Sequence, residues 1–471
     1  MIKKIMISFS VFLFAATSVF AQKKWTLTDC INYALEHNIQ IKQQKLNTEI
    51  NQNALKRSKL DALPSLNAGA THNFSFGRAL DETTYEFTEN QEVQSSNFSV
   101  SSSVTLFQGF QRWNRIKKNK FVLLSSLNEL EQIKNDISLN VASAYLQILF
   151  NEELVEVSEN QLEITQQEIE RTKKLVEAGS LPQGALLEIK SQAANEELNL
   201  VESQNQLESS YLNLIQLLEL DSIQDFSVLK PDFEEINKRL LYPIDSIYTR
   251  AKEALPRIKS ARYNLKSQKE ALDIAKGQLS PTLSMSVSYG SRYSNIRDRV
   301  SSFDTTMMVY GYTQSGENVY VPQMIPNYEK YPFFSQIQDN ASTNIGFSLS
   351  IPIFNGMQAN YSVNNAKVNM LNARYSLEYK KNQLYKDIQK ALSDARSAWK
   401  KYQASNKTVQ SMQESFKYTK QKFKVGLVNS IEYNTAKNQL IKAESDLLQS
   451  KYEYIFKTKI LEFYQGVPLQ L

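Results

Sequence analysis

The residues best equipped for chemistry are few and scattered. His37 and His72 are the only histidines and lie on different elements, and Cys30 is the only cysteine. Metal sites gather Cys, His and carboxylates at short, repeated spacings, and no such cluster is present. There is no Gly-rich loop to cradle a phosphate and no G-x-S-x-G elbow. Met307-Met308 offers two soft sulfurs, a copper-like signal, but the pair falls in a long loop and reads as incidental. Trp113 and Trp399 lie in helical runs and read as packing residues. Nothing here supports catalysis, a cofactor or a bound metal.

The information lies in the elements instead. Phe98, Val100, Ser102, Val104 and Leu106 alternate with Asn97, Ser99, Ser101, Ser103 and Thr105, the period of a strand. After Phe107-Gln108-Gly109 the pattern changes, and residues 110–178 hold no Gly and no Pro. The device returns: Ile345, Phe347, Leu349, Ile351 and Ile353 alternate, Phe354-Asn355-Gly356 follows, and 357–425 is again free of Gly and Pro. Gly109 and Gly356 thus mark two strand-to-helix junctions. Each run would extend about 100 Å as one helix, more than a globular domain can hold. An elongated architecture is expected.

In the first run Leu130, Lys134, Ile137, Val141, Ala144, Ile148, Asn151, Val155, Ser158, Leu162, Thr165, Ile169, Thr172 and Val176 form a coiled-coil seam. Asn, Ser and Thr dilute it, so it is not a simple dry dimer core. Gly179-Ser180-Leu181-Pro182 stops the run, and a second helix is expected from about Ala185 to Leu220. Before the first strand, Trp25–Asp29 opens a helix capped by Thr28 or Asp29, continuing to about Leu60 and ended by Pro64.

The whole arrangement repeats. Ala34, Leu55, Lys59, Pro64 and Leu66 recur 217 residues later as Ala251, Leu272, Lys276, Pro281 and Leu283. Phe107, Gly109 and Gly179 recur 247 residues later as Phe354, Gly356 and Gly426. The change of offset, 247 − 217, leaves about 30 extra residues, most simply one longer, tyrosine-rich loop near 294–340. The domains expected are a signal peptide at 1–21, a first repeat at 22–230 and a second at 231–471. In the first repeat a hairpin spans about 66–107 and helices about 110–220; in the second these are about 283–353 and 357–465.

Met1–Ala21 carries Lys3 and Lys4, a short apolar run and Val19-Phe20-Ala21, the pattern of an export signal rather than a membrane anchor. Without it the net charge of +5 falls to +3, which does not argue for nucleic acid. No later stretch offers the ~20 apolar residues of a membrane helix. The strands Leu66–Phe76, Phe98–Phe107, Leu283–Tyr293 and Ile345–Ile353 do have the length and period of membrane β-strands. The other reading is a soluble hairpin packed on the helices. In a bilayer four strands cannot close a barrel, so copies must pool them, and a trimer would supply twelve.

At these residues the chain resembles the TolC-type outer-membrane efflux family. The resemblance rests on Leu27-Thr28-Asp29-Cys30 through Ala34-Leu35-Glu36-His37-Asn38, and on Leu63-Pro64-Ser65-Leu66. It rests also on the junctions at Gly109 and Gly356 and the tips at Gly179 and Val425-Gly426-Leu427-Val428. Together these span essentially the whole chain after residue 21. The fold this implies is mainly α with a transmembrane β-barrel contribution: a tandem repeat of long helical hairpins plus four membrane strands per chain. Three chains would form a 12-stranded barrel in the outer membrane, continued by a periplasmic α-helical barrel.

The function implied is a passive exit duct for a tripartite efflux pump or type I secretion system. Its partners would be its own copies, outer-membrane lipid, a periplasmic adaptor (membrane-fusion) protein and an inner-membrane pump. Carried over, Gly179, Ser180, Leu181, Gly426, Leu427 and Val428 would meet the adaptor. Glu188 and Glu432 would be candidates for an acidic ring at the entrance, against the plainer reading of solvated helix faces. The rival classes are the periplasmic adaptor itself and a structural coiled-coil protein without a channel. Adaptors usually carry one helical hairpin, whereas this chain has two.

Overall fold

The computed structural model describes residues 24–78, 85, 87, 92–220, 226–231 and 243–467. The expected signal peptide, most of the first loop and much of the segment joining the halves lie outside the described residues. In chain order the elements are β1 (Lys24–Trp25), α1 (Leu27–His37), α2 (Ile39–Leu60), β2 (Ser65–Ser75), β3 (Val93–Gln108), α3 (Gln111–Glu177), α4 (Gln183–Leu218) and β4 (Ser227–Val228). There follow α5 (Ile244–Ala254), α6 (Pro256–Gly277), β5 (Thr282–Ser294), β6 (Asp298–Tyr312), β7 (Asn318–Lys330), α7 (Phe333–Asp339), β8 (Ser342–Ser350), α8 (Gln358–Lys424) and α9 (Ser430–Tyr464). The two long helices, α3 and α8, have 67 residues each.

The chain divides into two compact units that cut across both expected repeats. One draws its described residues from Met1–Gln52, Phe121–Lys266 and Leu371–Leu471, the other from Asn53–Lys120 and Ser267–Met370. The first unit is helical. Leu27, Cys30 and Ala34 of α1 are buried with Val141, Tyr145, Ile148 and Leu149 of α3 and Leu214 and Leu218 of α4. A second cluster joins Ile247 and Ala251 of α5, Ile258 of α6, Leu384, Ile388 and Leu392 of α8, and Leu461 of α9. Each fully buried aliphatic side chain contributes about 1.5–3 kcal/mol. No member of the coiled-coil stripe from Leu130 to Val176 is exposed.

Glu153 of α3 is a polar knot beside the first cluster. It accepts from Tyr452 Oη at 2.7 Å and lies 3.1 Å from Lys230 Nζ. Burial alone would raise its pKa. The hydrogen bonds from Tyr452 and Lys230 and the charge of Lys451 outweigh this and hold it below its ordinary value.

Two expectations for the N-terminal helix are corrected. The cap is Thr26, not Thr28 or Asp29: its hydroxyl accepts from Asp29 N while Asp29 Oδ2 accepts from Thr26 N, a capping box. The cap falls there because Leu27 is already a buried helical residue. Lys24–Trp25 is a strand paired in parallel with Ser227–Val228 rather than part of the helix. Nor is the helix continuous to Leu60. Asn38 breaks it, and its Oδ1 accepts from Gln40 N at 2.9 Å to start α2.

The second unit holds an antiparallel sheet in the order β2-β3-β5-β8. Its register sorts the side chains by face. Ala68, Val100, Tyr289 and Thr343 share one face, flanked along the strands by Leu66, Ala70, Phe98, Val287, Ile345 and Phe347. The other face is Ser, Thr, Asn and Gly: Asn67, Ser101, Ser103, Ser286, Ser288, Asn344 and Gly346 among them. The apolar face is uncovered over much of its area, with Leu66 at 75%, Ile345 at 63% and Phe347 at 66% exposure. The soluble alternative, a hairpin packed on its own helices, requires this face to be covered.

Two strand expectations also change. β8 ends at Ser350, not Ile353, because Pro352 has no N–H to donate to a ladder. The expected single loop at 294–340 is instead a two-stranded ribbon, β6 with β7, followed by the short helix α7. Extra residues at Ser301 and Tyr310 bulge from β6 and break its alternation, which hid the strand. Gln336 of α7 is fully buried and clasps β5, donating to Ser294 O at 2.8 Å while Ser294 N donates to its Oε1 at 3.0 Å.

Each strand-to-helix junction uses two successive left-handed residues, Gly109-Phe110 (φ 59°, 59°) and Gly356-Met357 (φ 62°, 64°). A Cβ at Gly109 would stand 2.5 Å from Gly277 O and 2.6 Å from Ser280 Cβ, whereas one at Gly356 meets nothing within 4 Å. In thermal unfolding, Gly109→Ala is therefore expected to cost clearly more stability than Gly356→Ala. The latter pays only the left-handed strain of about 1 kcal/mol. Equal losses would contradict this close approach.

Candidate functional site

Two helix-to-helix turns in the helical unit carry the residues singled out from the sequence. They are built alike. At the first, Gly179 is left-handed (φ 71°), Ser180 N donates to Leu175 O at 2.8 Å and Gly179 N to Val176 O at 2.9 Å. At the second, Gly426 is left-handed (φ 75°), Leu427 N donates to Lys422 O at 2.9 Å and Gly426 N to Phe423 O at 3.1 Å. This pair of bonds closes a helix end on a glycine that an L side chain would strain. The next helices start differently: Pro182 precedes α4, and Asn429 caps α9 by accepting from Glu432 N at 2.9 Å. Leu427 is 74% exposed in the second turn, while Leu181 and Val428 are half-buried.

The two candidate acids separate. Ser430, the first residue of α9, is buried and donates from its hydroxyl to Glu188 Oε2 of α4. That contact joins the two hairpins. Glu432 lies exposed on the same turn of α9, and its side chain is not part of the contact. The structure therefore brings Glu188 together with Ser430, not with Glu432.

One turn-pair deeper lies a constellation that sequence reasoning missed. Lys437 of α9 is 2% exposed and Glu196 of α4 is 4% exposed. Lys437 Nζ donates to Glu196 Oε1 at 2.9 Å and also to Thr165 Oγ1 of α3. Thr165 donates in turn to Glu196 Oε2, and Gln192 Nε2 reaches both Glu196 Oε1 and Asn438 Oδ1 at 2.9 Å. Desolvation lowers the Lys437 pKa from its ordinary value, against the pull of Glu196. Beside them Tyr433 is buried with no hydrogen-bond partner for its hydroxyl, and its ring stacks on Phe423 at 4.6 Å. The signal in the sequence was Thr165, one of the polar residues that dilute the coiled-coil stripe. Its partners lie 31 and 272 residues away along the chain.

The arrangement is mechanical rather than catalytic. It fastens the helix hairpin α8–α9 to the hairpin α3–α4 through a buried ion pair and a hydroxyl–carboxylate contact near the turns. Among the described residues no group of three or more His, Cys, Asp or Glu side chains is placed to hold a metal. No helix among them is long and apolar enough to cross a membrane. Cys30 is buried and its thiol is pushed up to about 12, first by desolvation and then by Asp29, so it is inert at neutral pH.

Comparison with known proteins adds an independent line. The family model described as outer membrane efflux protein matches residues 30–219 and 247–461. The alkaline protease secretion protein AprF of Pseudomonas aeruginosa is 20% identical, covering 94% of this chain and 84% of its own. The outer membrane protein TolC of Escherichia coli is 19% identical over 85% of this chain and 74% of its own. Among solved structures, the Campylobacter jejuni CmeC outer membrane channel superposes with a TM-score of 0.76 at 16% identity. That match covers 93% of this chain and 85% of the other.

The buried ion pair makes a definite stability prediction. Lys437→Met leaves the Glu196 carboxylate buried without its cation and is expected to cost about 3–5 kcal/mol in denaturant unfolding. Lys437→Met combined with Glu196→Leu should recover most of that loss. If both variants lose the same amount, the pair does not carry the contact.

Proposed function

Because the chain belongs to the outer membrane efflux protein family, we propose that it works as a passive exit duct built from three copies of itself. It resides in the outer membrane with a large periplasmic portion. The family transports rather than catalyses. The finer reading concerns how one chain becomes a pore.

The carrying observation is a contact that one copy cannot complete. The junction at Gly109 sits against Gly277 and Ser280. The repeat offsets pair Gly109 with Gly356, and Gly277 and Ser280 with Leu60 and Leu63. The equivalent contact, Gly356 against 60–63, is absent among the described residues. Gly356 has open space beside it, and Leu60 and Leu63 are 62% and 63% exposed. These two half-sites flank the two free edges of the sheet, β8 and β2. A neighbouring copy bringing its β2 alongside β8 would complete both the junction and the ladder.

Strand directions fit that closure. The four strands alternate, so β8 of one copy runs antiparallel to β2 of the next. Three copies of a four-stranded sheet give twelve strands, enough to close a barrel. The uncovered apolar face would then meet outer-membrane lipid, and the Ser, Thr and Asn face would line a wet lumen. In this reading 22–230 and 231–471 are two repeats of one unit, and the helices continue the duct as a periplasmic α-helical barrel.

The turns at Gly179–Leu181 and Gly426–Val428 are the surfaces offered to a periplasmic adaptor, itself coupled to an inner-membrane pump or a type I secretion system. The relative AprF is an alkaline protease secretion protein. Glu188–Ser430 and Glu196–Lys437 hold the hairpins together, and adaptor contact at the turns would bias their opening. No nucleic acid enters this account.

Planar-bilayer recording of the purified protein tests it. The wild type is expected to conduct weakly, and Ser430→Ala to raise open-channel current several-fold by releasing Glu188. Glu188→Gln with Glu432→Gln should reduce any preference for cations over anions. Absence of conductance from the wild type and from Ser430→Ala alike would overturn the duct.

A further inference from the structure

The ribbon of β6 and β7 has no counterpart among the described residues of the first half of the chain, and its surface is unusual. Register places Val300 opposite Tyr328, Phe303 opposite Pro326, Thr305 opposite Met324, Met307 opposite Pro322 and Val309 opposite Tyr320. The bulges at Ser301 and Tyr310 keep all five pairs, with Tyr312, on one face. That face carries no charge over roughly 33 Å, at ~3.3 Å per residue along β7. Phe303, Met307, Tyr320 and Met324 are 61%, 63%, 55% and 70% exposed. Salt bridges are confined to the base, Lys330 with Asp298 and Arg299 with Glu329. The base is fixed by α7 on β5. An isolated two-stranded ribbon is marginal in water, so a cover for this face is to be expected.

Three covers can be compared. Lipid would leave the two open edges of the ribbon unpaired in hydrocarbon, at several kcal/mol per group. A strand added at the β7 edge is opposed by Pro322 and Pro326, whose missing N–H groups fall on that outer edge. What remains is packing face to face. The face measures about 300 Å², two strand spacings wide, well under the ~800 Å² per partner of a stable interface between free proteins. Such an area suffices when the partners are already tethered, because tethering raises their effective concentration to about the millimolar range.

We propose that the ribbons of neighbouring copies in one channel pack through this face, forming an apolar bundle at the strand ends remote from the strand–helix junctions. The proposal rests on the trimeric reading above. The bundle ties the three copies together at a second level, independent of the barrel ladder, and leaves the ribbon edges in water.

Cysteine cross-linking in intact cells tests it on the full chain, since buried Cys30 does not compete. A short bismaleimide is expected to link copies carrying Met307→Cys or Val309→Cys, on the packed face. It should not link those carrying Thr306→Cys or Met308→Cys, on the opposite face. Lysine-directed cross-linking of the same cells reports the trimer separately. A trimer without linkage at Met307→Cys and Val309→Cys overturns the ribbon bundle and leaves the duct standing; no trimer overturns both. Linkage to a different protein, or maleimide shielding at Met307→Cys that detergent removes without any linkage, also overturns it, pointing to a foreign partner or to lipid.

Discussion

Each backbone amide or carbonyl left unpaired in hydrocarbon costs several kcal/mol, and the sheet of this chain ends in two rows of them, along β2 and β8. Its apolar face is open in the single copy, and its other face is lined with Ser, Asn and Thr. Such a sheet is stable neither alone in lipid nor with that face in water. The proposed trimer removes both problems together, since shared ladders abolish the edges and lipid covers the face.

The junctions carry that constraint into the helices. Two consecutive left-handed residues turn each strand into the start of a 67-residue helix, at Gly109-Phe110 and at Gly356-Met357. At the other ends of those helices, matched glycine turns reverse the chain. Close to the turns the packing stops being purely apolar. A buried lysine, a buried glutamate and a threonine hold α3, α4 and α9 in one arrangement. A polar tie of this kind favours one geometry strongly and is costly to break by halves, a property suited to a joint with two positions.

Much of this was legible from residue order. The long helices were readable because Gly and Pro are absent from both runs, and the four strands of the sheet because small polar residues alternate with apolar ones. The turns at Gly179 and Gly426 followed from helix-stop chemistry. Other features were not legible, for physical reasons. β6 hid behind two bulges that break the period of two, and Asn38 closes one helix with its backbone N–H and starts the next with its side chain. The tie between Lys437 and Glu196 joins residues 241 apart, a distance no local pattern spans. Glu188 and its partner Ser430 lie 242 residues apart, so no local pattern joins them. Sequence patterns report elements, whereas contacts between elements depend on how the hairpins meet.

Native mass measurement of the detergent-extracted outer-membrane protein tests the central claim most directly. A complex of three copies is expected, reduced to fewer when charged residues are placed along the β2 edge. A stable, water-soluble single chain, or an extracted protein that remains one copy in mild detergent, would contradict it.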